Sequence, residues 1–375
     1  MTFRYGEEIN HTEDEECERP WYKATAEFLV LLCFFVIVCG CVAYRASAKS
    51  VTVDETITTE DYSGVFDQDI TTDWTVLETK ATSGDGSFFM PLTMTAMSNS
   101  VSVENYYQDH TLFVRIKGAR GSSIENSVIE GDTEHILTAA YRENSGELHI
   151  SLYMDGVWDY DISKENGKLV ITPYKAHDRY EKVVMLVPAY DMRDEADVTA
   201  KVAETAISLM ATDITTDETA DPDGTQLESE SGDKDIARIY SVRNPGNTRT
   251  EEEIFSLIRD SEADIVVFLE LSESENTEDY GMRAVYNAEY FIPGINNAVV
   301  AESFLRNIAV SANDKATAID EAGPDDILKQ IEIPSARVSI GYLTNEEEYG
   351  YLKDERYREK IAEGIINAIK EVCEN

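Results

Sequence analysis

Apolar and polar positions divide the chain into stretches of different period. Residues 28–44 (FLVLLCFFVIVCGCVAY) form a run of 17 without a charge. As a helix this run is about 26 Å long, close to the roughly 30 Å of a bilayer core. It has no polar face for a buried surface helix, and Trp21, Tyr22 and Lys23 before it and Tyr44 and Arg45 after it suit the two membrane interfaces. One N-terminal transmembrane helix is therefore expected, with residues 1–27 as an acidic tail ahead of it. Residues 45–86 are rich in Thr, Asp and Ser, which reads as a stalk with one strand near Trp74-Thr75-Val76-Leu77.

From residue 87 to 178 the period becomes two. Stretches 111–116, 147–153 and 168–172 alternate apolar and polar positions, and Asn144-Ser145-Gly146 and Asn166-Gly167 supply turn chemistry. A small all-β domain of the sandwich type is expected here. From residue 182 onward, continuous apolar strands at 183–187, 265–269 and 337–340 alternate with helices at 196–210 and 251–259. The chain closes with a helix whose apolar positions Tyr357, Ile361, Ile365, Ile369 and Val372 step by four and then three. Buried strands between amphipathic helices predict an α/β domain, a mixed central sheet with flanking helices, over 182–375. Residues 212–235, with nine acidic side chains against Lys234, read as a solvated loop within it.

Charge narrows the function. There are 73 Asp and Glu residues against 32 Lys and Arg, a formal net charge of −41. Nothing neutralises a run of phosphates, so nucleic acid is excluded as a partner, and anionic wall polymers and lipid head groups are repelled. The cysteines, Cys17, Cys33, Cys39, Cys41 and Cys373, make no disulfide framework, since three of them lie in the apolar run. Val38-Cys39-Gly40-Cys41 is similar to a lipoprotein box, which would acylate Cys41, and Ala46-Ser47-Ala48 to a signal peptidase site. The 27 residues ahead of the run are long and acidic for a signal peptide, which favours an uncleaved anchor over both. Lysines and arginines are nearly balanced across the span, so they leave its orientation open.

The last 45 residues carry a resemblance. IEIPSARVSIGYLTNEEEYGYLKDERYREKIAEGIINAI resembles the C-terminal segment of zinc-dependent N-acetylmuramoyl-L-alanine amidases, which reads M-P-A-V-L-V-E-L-G-F-L-S-N, then a helix, then Y-x-x-K-I-A-x-x-I. Pro334, Val338, Gly341, Leu343, Asn345, Tyr357, Lys360, Ile361 and Ala362 fall on that pattern. Residues 183–191 look like the family's opening strand and its V-I-D-P-G-H-G-G turn, and 263–269 like A-D-L-F-I-S-I before H-A-N. The similarity covers roughly 182–375, and the preceding β-domain is similar in kind to the amidase N-terminal (AMIN) domain.

The resemblance implies a wall hydrolase that holds one zinc through His, Glu and His and uses a Glu on the C-terminal strand as general acid/base. Three protein ligands leave the metal a fourth position for an activated water, and a carboxylate then moves that water's proton to the leaving amine. This chain departs from that set. The first His position is Tyr190, followed by Asp191. The Glu ligand corresponds to Glu195, since Glu195-Ala196-Asp197-Val198 resembles E-K-D-V. The second His position is Glu270, and the catalytic Glu position is Ser339. The histidines are His11, His110, His135, His149 and His177, so none lies in the amidase-like region. A His-based zinc site is therefore not expected. Tyr190, Glu195 and Glu270 could together offer a hard cation an oxygen-only site, or two carboxylates could do acid/base work on a glycan.

Three readings follow. The first is a membrane-anchored envelope protein, its large C-terminal region outside the plasma membrane, with a catalytically inactive amidase-like domain that binds peptidoglycan or a wall protein. The second is an active hydrolase with a rebuilt carboxylate site centred on Glu270. The third is an envelope scaffold that touches no glycan.

Overall fold

The computed structural model describes residues 51–54, 74–82, 86–93, 96, 100–217, 234–289 and 295–374. The apolar run 28–44 with its processing motifs, the acidic tail, and most of the stalk and of the acidic loop lie outside the described residues. Among the described residues, no helix is long and apolar enough to cross a membrane.

Among the described residues, eleven strands precede residue 176: β1 (Val51–Asp54), β2 (Thr75–Val76), β3 (Glu78–Ala81), β4 (Phe88–Pro91), β5 (Val101–Tyr106), β6 (Thr111–Lys117), β7 (Val128–Gly131), β8 (Ile136–Asn144), β9 (Glu147–Met154), β10 (Asp159–Glu165) and β11 (Lys168–Tyr174). They form two sheets, ordered β1-β5-β6-β9-β8-β2 and β10-β11-β4-β7-β3. One shared core holds Leu112, Val114, Leu148, Ile150 and Leu152 from the first sheet with Phe88, Met90, Ile129, Leu169 and Ile171 from the second. The β8–β9 and β10–β11 hairpins close through Ser145-Gly146 and Asn166-Gly167, and all four of these residues take positive φ. Paired left-handed residues match the twist of the flanking strands, which is why this dipeptide chemistry marks the turns. Strands β2 and β3 belong to these sheets, although the sequence placed them in the stalk. β3 is exposed along its whole length, so it carries no alternating pattern to read.

The α/β part begins with β12 (Tyr180–Pro188) and continues through α1 (Val198–Asp217), β13 (Asp235–Ser241), α2 (Glu251–Asp260), β14 (Ile265–Ser272), β15 (Met282–Tyr286), α3 (Asn297–Ala312), β16 (Ala316–Glu321), β17 (Ser335–Tyr342), α4 (Glu346–Leu352) and α5 (Glu355–Glu374). The sheet order is β13-β12-β14-β17-β15-β16. The first four strands run parallel, and β15 is antiparallel to β17. This is the mixed central sheet with flanking helices of an amidase-like α/β fold. α1 runs to Asp217, so the acidic stretch starts inside a helix rather than at a loop.

Alternate residues of the buried strands feed two cores. Val184, Leu186, Val267, Leu269, Val338 and Ile340 pack against α1, α3 and α5. Val183, Met185, Val187, Val266 and Phe268 face the other way, toward Leu257 of α2 and toward Tyr107, Val157 and Ala176. The last three precede the α/β part, so segments ahead of β12 help to cover this face. Residues 51–375 accordingly make one compact unit.

Candidate functional site

The carboxyl ends of β12, β14 and β17 lie side by side. Pro188 is in register with Leu269, the Ala189 amide donates to the Leu269 carbonyl at 2.8 Å, and Glu270 is in register with Ser339. Tyr190 therefore leaves β12 beside the strand end that carries Glu270, with Ser339 one strand further on. In a parallel sheet this end, where loops diverge, is where ligands bind.

A buried guanidinium holds the turn after β12. The Arg243 side chain is only 2% exposed. It donates to the carbonyls of Pro188 at 2.8 Å and Ala189 at 2.6 Å, and it forms a two-pronged ion pair with Asp197 at 2.7 and 2.8 Å. Asp197 also accepts from the Gly246 amide at 2.7 Å. The guanidinium lies 5.5 Å from the ring centre of Tyr190, whose residue is 50% exposed. Asp194 is buried, caps α1 by accepting from the Val198 amide at 2.7 Å, and accepts from the Tyr349 hydroxyl at the same distance. Burial and that carboxylate push the Tyr349 hydroxyl up to about 12.

Arg243 and Asp197 are what the sequence reading missed. Asp197 lies in the quoted E-K-D-V match, but only folding brings β13 and its following Arg243 beneath the turn. The signal for β13 was the largely apolar stretch Ile236-Ala237-Arg238-Ile239-Tyr240, which follows directly on acidic residues.

Of the five positions singled out in sequence, Tyr190, Glu270 and Ser339 thus lie at neighbouring strand ends. Asp191 is turned to Arg193, which donates to it at 2.8, 2.9 and 3.1 Å and also reaches Glu273; Arg193 holds the Asp191 carboxyl below its ordinary range. Glu195 is exposed next to the buried Asp194. Glu270 lies 3.4 Å from the guanidinium of Arg337, which donates to Asp326 at 2.6 Å. Burial raises the Glu270 carboxyl above its ordinary range; Arg337 works against that shift and Asp326 adds to it. Ser339 is buried, 2.6 Å from the Ser272 hydroxyl, and donates to the Gly341 carbonyl at 3.2 Å. Its hydroxyl is thus engaged with a second serine and the backbone, and neither is a base that could activate it.

These residues do not fit the zinc site that the resemblance implies. They supply no imidazole or thiolate, Glu195 faces solvent, and Glu270 is paired with an arginine rather than free to ligate. Among the described residues, no group of three or more His, Cys, Asp and Glu side chains is placed to hold a metal ion.

The motif residues that persist serve the scaffold. Gly341 has φ +147, and a Cβ there would stand 2.9 Å from Leu352 and 3.1 Å from Glu348. Glu348, on α4, accepts from the Gly281 and Tyr342 amides, both at 2.7 Å. Asn345 caps α4 by accepting from the Glu347 and Glu348 amides, both at 3.1 Å. Ile361 and Ala362 are fully buried on α5.

Residues 189–371 match the family model of N-acetylmuramoyl-L-alanine amidase. No curated protein sequence matches the chain. Similar solved structures include the catalytic domain of CwlV from Paenibacillus polymyxa, 16% identical, covering 51% of this chain and 97% of that one with a TM-score of 0.39. AmiC2 of Nostoc punctiforme is 15% identical over 52% of this chain and 98% of its own, with a TM-score of 0.41. The CwlD amidase of Clostridioides difficile, solved with the GerS lipoprotein, is 18% identical over 51% and 98%, with a TM-score of 0.36. By the family match, residues 189–371 of this chain are similar to N-acetylmuramoyl-L-alanine amidases.

Proposed function

We propose that this chain is a membrane-anchored envelope protein whose amidase-like domain binds peptidoglycan, or a protein bound to it, without cleaving it. The carrying observation is the state of Glu270. It stands where the family pattern places a zinc-binding histidine, and it faces Arg337 rather than an open coordination position. Ser339, in place of the general base, has neither a carboxylate to offer nor a base to activate it. The fold and the motif residues that shape it are retained, which is what a binding role requires.

The two sheets that precede this domain are read as its AMIN-like partner, and residues 28–44 as an uncleaved single span with the large C-terminal region outside the plasma membrane. The surface is strongly acidic, so affinity for a wall must come from specific groove contacts rather than general attraction. Incubating the purified full chain with muropeptides, with and without added zinc, tests the reading, together with retention on insoluble peptidoglycan against a charge-matched control. Retention without release of stem peptide is expected. Zinc-stimulated release would overturn it, and absence of both retention and release would favour the pure scaffold.

A further inference from the structure

The face of the sheet that carries Glu270 also carries two arginines, on neighbouring strands. Arg283 is in register with Ser339, and Arg337 with Val285. Arg283 donates to Asp320 at 2.6 Å, and Arg337 to Asp326 at 2.6 Å. The Nε of Arg337 is buried, makes no hydrogen bond, and sits 3.4 Å from a Glu270 oxygen, so that contact is an ion pair without hydrogen-bond geometry. One guanidinium therefore stands between two carboxylates. With Pro334 and Gly341 on the Pro and Gly of the pattern quoted above, position 337 falls on a leucine. Three departures then coincide at one strand end: a carboxylate for an imidazole at 270, a guanidinium for an alkyl chain at 337, and a hydroxyl for a carboxylate at 339.

We propose that Arg337 is the resident cation of this site, neutralising Glu270 and Asp326 together and closing the carboxyl end of the sheet to divalent metals. A guanidinium does not lose its proton in the accessible pH range, so this positive charge is permanent. A divalent ion approaching Glu270 meets that fixed charge within a few ångströms and must displace Arg337 to gain a carboxylate ligand. The same account gives Arg337 a positioning role, since it holds the Glu270 carboxylate against the sheet instead of leaving it free to move into the groove.

This inference deepens the non-hydrolytic reading of the same site, and the two fail separately. Cleavage that needs no metal would sink that reading alone, and metal binding without cleavage would sink this inference alone.

The test is Mn2+ and Zn2+ titration of the full chain and its variants by calorimetry, the difference between wild type and Glu270→Gln removing weak binding by the acidic surface. Wild type and Glu270→Gln are expected to bind both metals equally. Arg337→Met leaves Glu270 and Asp326 facing each other, so it is expected to gain Mn2+ affinity at least tenfold. Arg337→Met/Glu270→Gln is expected to lose that gain, while Arg337→Lys stays like wild type. One equivalent of metal in wild type that disappears in Glu270→Gln would overturn the inference, as would a folded Arg337→Met that gains nothing. Should Arg337→Met fail to fold, the comparison of wild type with Glu270→Gln decides the matter.

Discussion

Arg243 and Asp197 form a two-pronged ion pair at 2.7 and 2.8 Å beneath the turn that carries Tyr190. The arginine is almost wholly enclosed, and its remaining hydrogens go to the carbonyls of Pro188, Ala189 and Asn247. Replacing one partner leaves the other charge buried and unpaired. Such losses cost about 3–5 kcal/mol. Arg243→Met is expected to lower stability by that amount in chemical denaturation, with Asp197→Asn losing less because its amide still accepts a hydrogen bond.

A second clamp joins the strands before residue 176 to the α/β sheet. Asp159 on β10 accepts from Arg238 at 2.9 and 3.0 Å and from the Tyr240 hydroxyl at 2.9 Å, both on β13. Tyr107 adds a ring contact to Tyr240, 4.8 Å between centres, and its hydroxyl accepts from the Ser241 amide at 2.9 Å. Asp159 is 3% exposed, so Asp159→Ala is expected to cost about 3 kcal/mol through the stranded charge of Arg238. Limited proteolysis between residues 174 and 180 should accelerate in this variant, and an unchanged cleavage rate would contradict the clamp.

The helix pair α3–α5 meets at a glycine. A Cβ on Gly364 would stand 2.5 Å from the Cα of Ile308 and 2.9 Å from the Asn307 carbonyl oxygen, both backbone atoms of α3. Alanine improves helix propensity by about 1 kcal/mol, whereas forcing packed backbones apart costs about 1–3 kcal/mol. Gly364→Ala is accordingly expected to be net destabilising, seen as a lower thermal midpoint. A raised midpoint would show that the two helices separate easily.

Two histidines link stability to mild acid. Burial lowers the ring pKa of His110, outweighing Asp260 and Asp109 nearby, and burial lowers that of His149, outweighing Glu147. With the folded value below the unfolded value of about 6.5, the unfolded chain takes up protons first as pH falls. Stability is then fully present above about pH 6.5 and declines below it, by at most about 1.4 kcal/mol per pH unit for each histidine. His110→Gln/His149→Gln should flatten the slope of denaturation free energy between pH 7 and 5.5, whatever its effect on the level at pH 7.

The buried strands β12, β14 and β17 and the closing helix were legible in sequence because each puts apolar residues at a regular period. β13 was hidden by the acidic residues beside it. β16 was hidden because it lies at the sheet edge and is exposed over nearly its whole length. The positions of Tyr190, Glu270 and Ser339 could be placed at strand ends from the motif alone. What surrounds them could not, because Arg243 and Arg337 act through partners far away in sequence or on another strand. Gly341 and Asn345 made the family recognisable, and the structure gives them backbone work: a strand end against α4 and the cap of that helix.

The amidase-like domain is proposed to keep the scaffold of N-acetylmuramoyl-L-alanine amidases without their hydrolytic chemistry. Release of stem peptide from muropeptides by the purified full chain, followed by chromatography with zinc supplied and with zinc chelated, tests it most directly. No release is expected under either condition, from wild type or from Glu270→Ala. Release that requires zinc, or release that disappears in Glu270→Ala, would contradict the account.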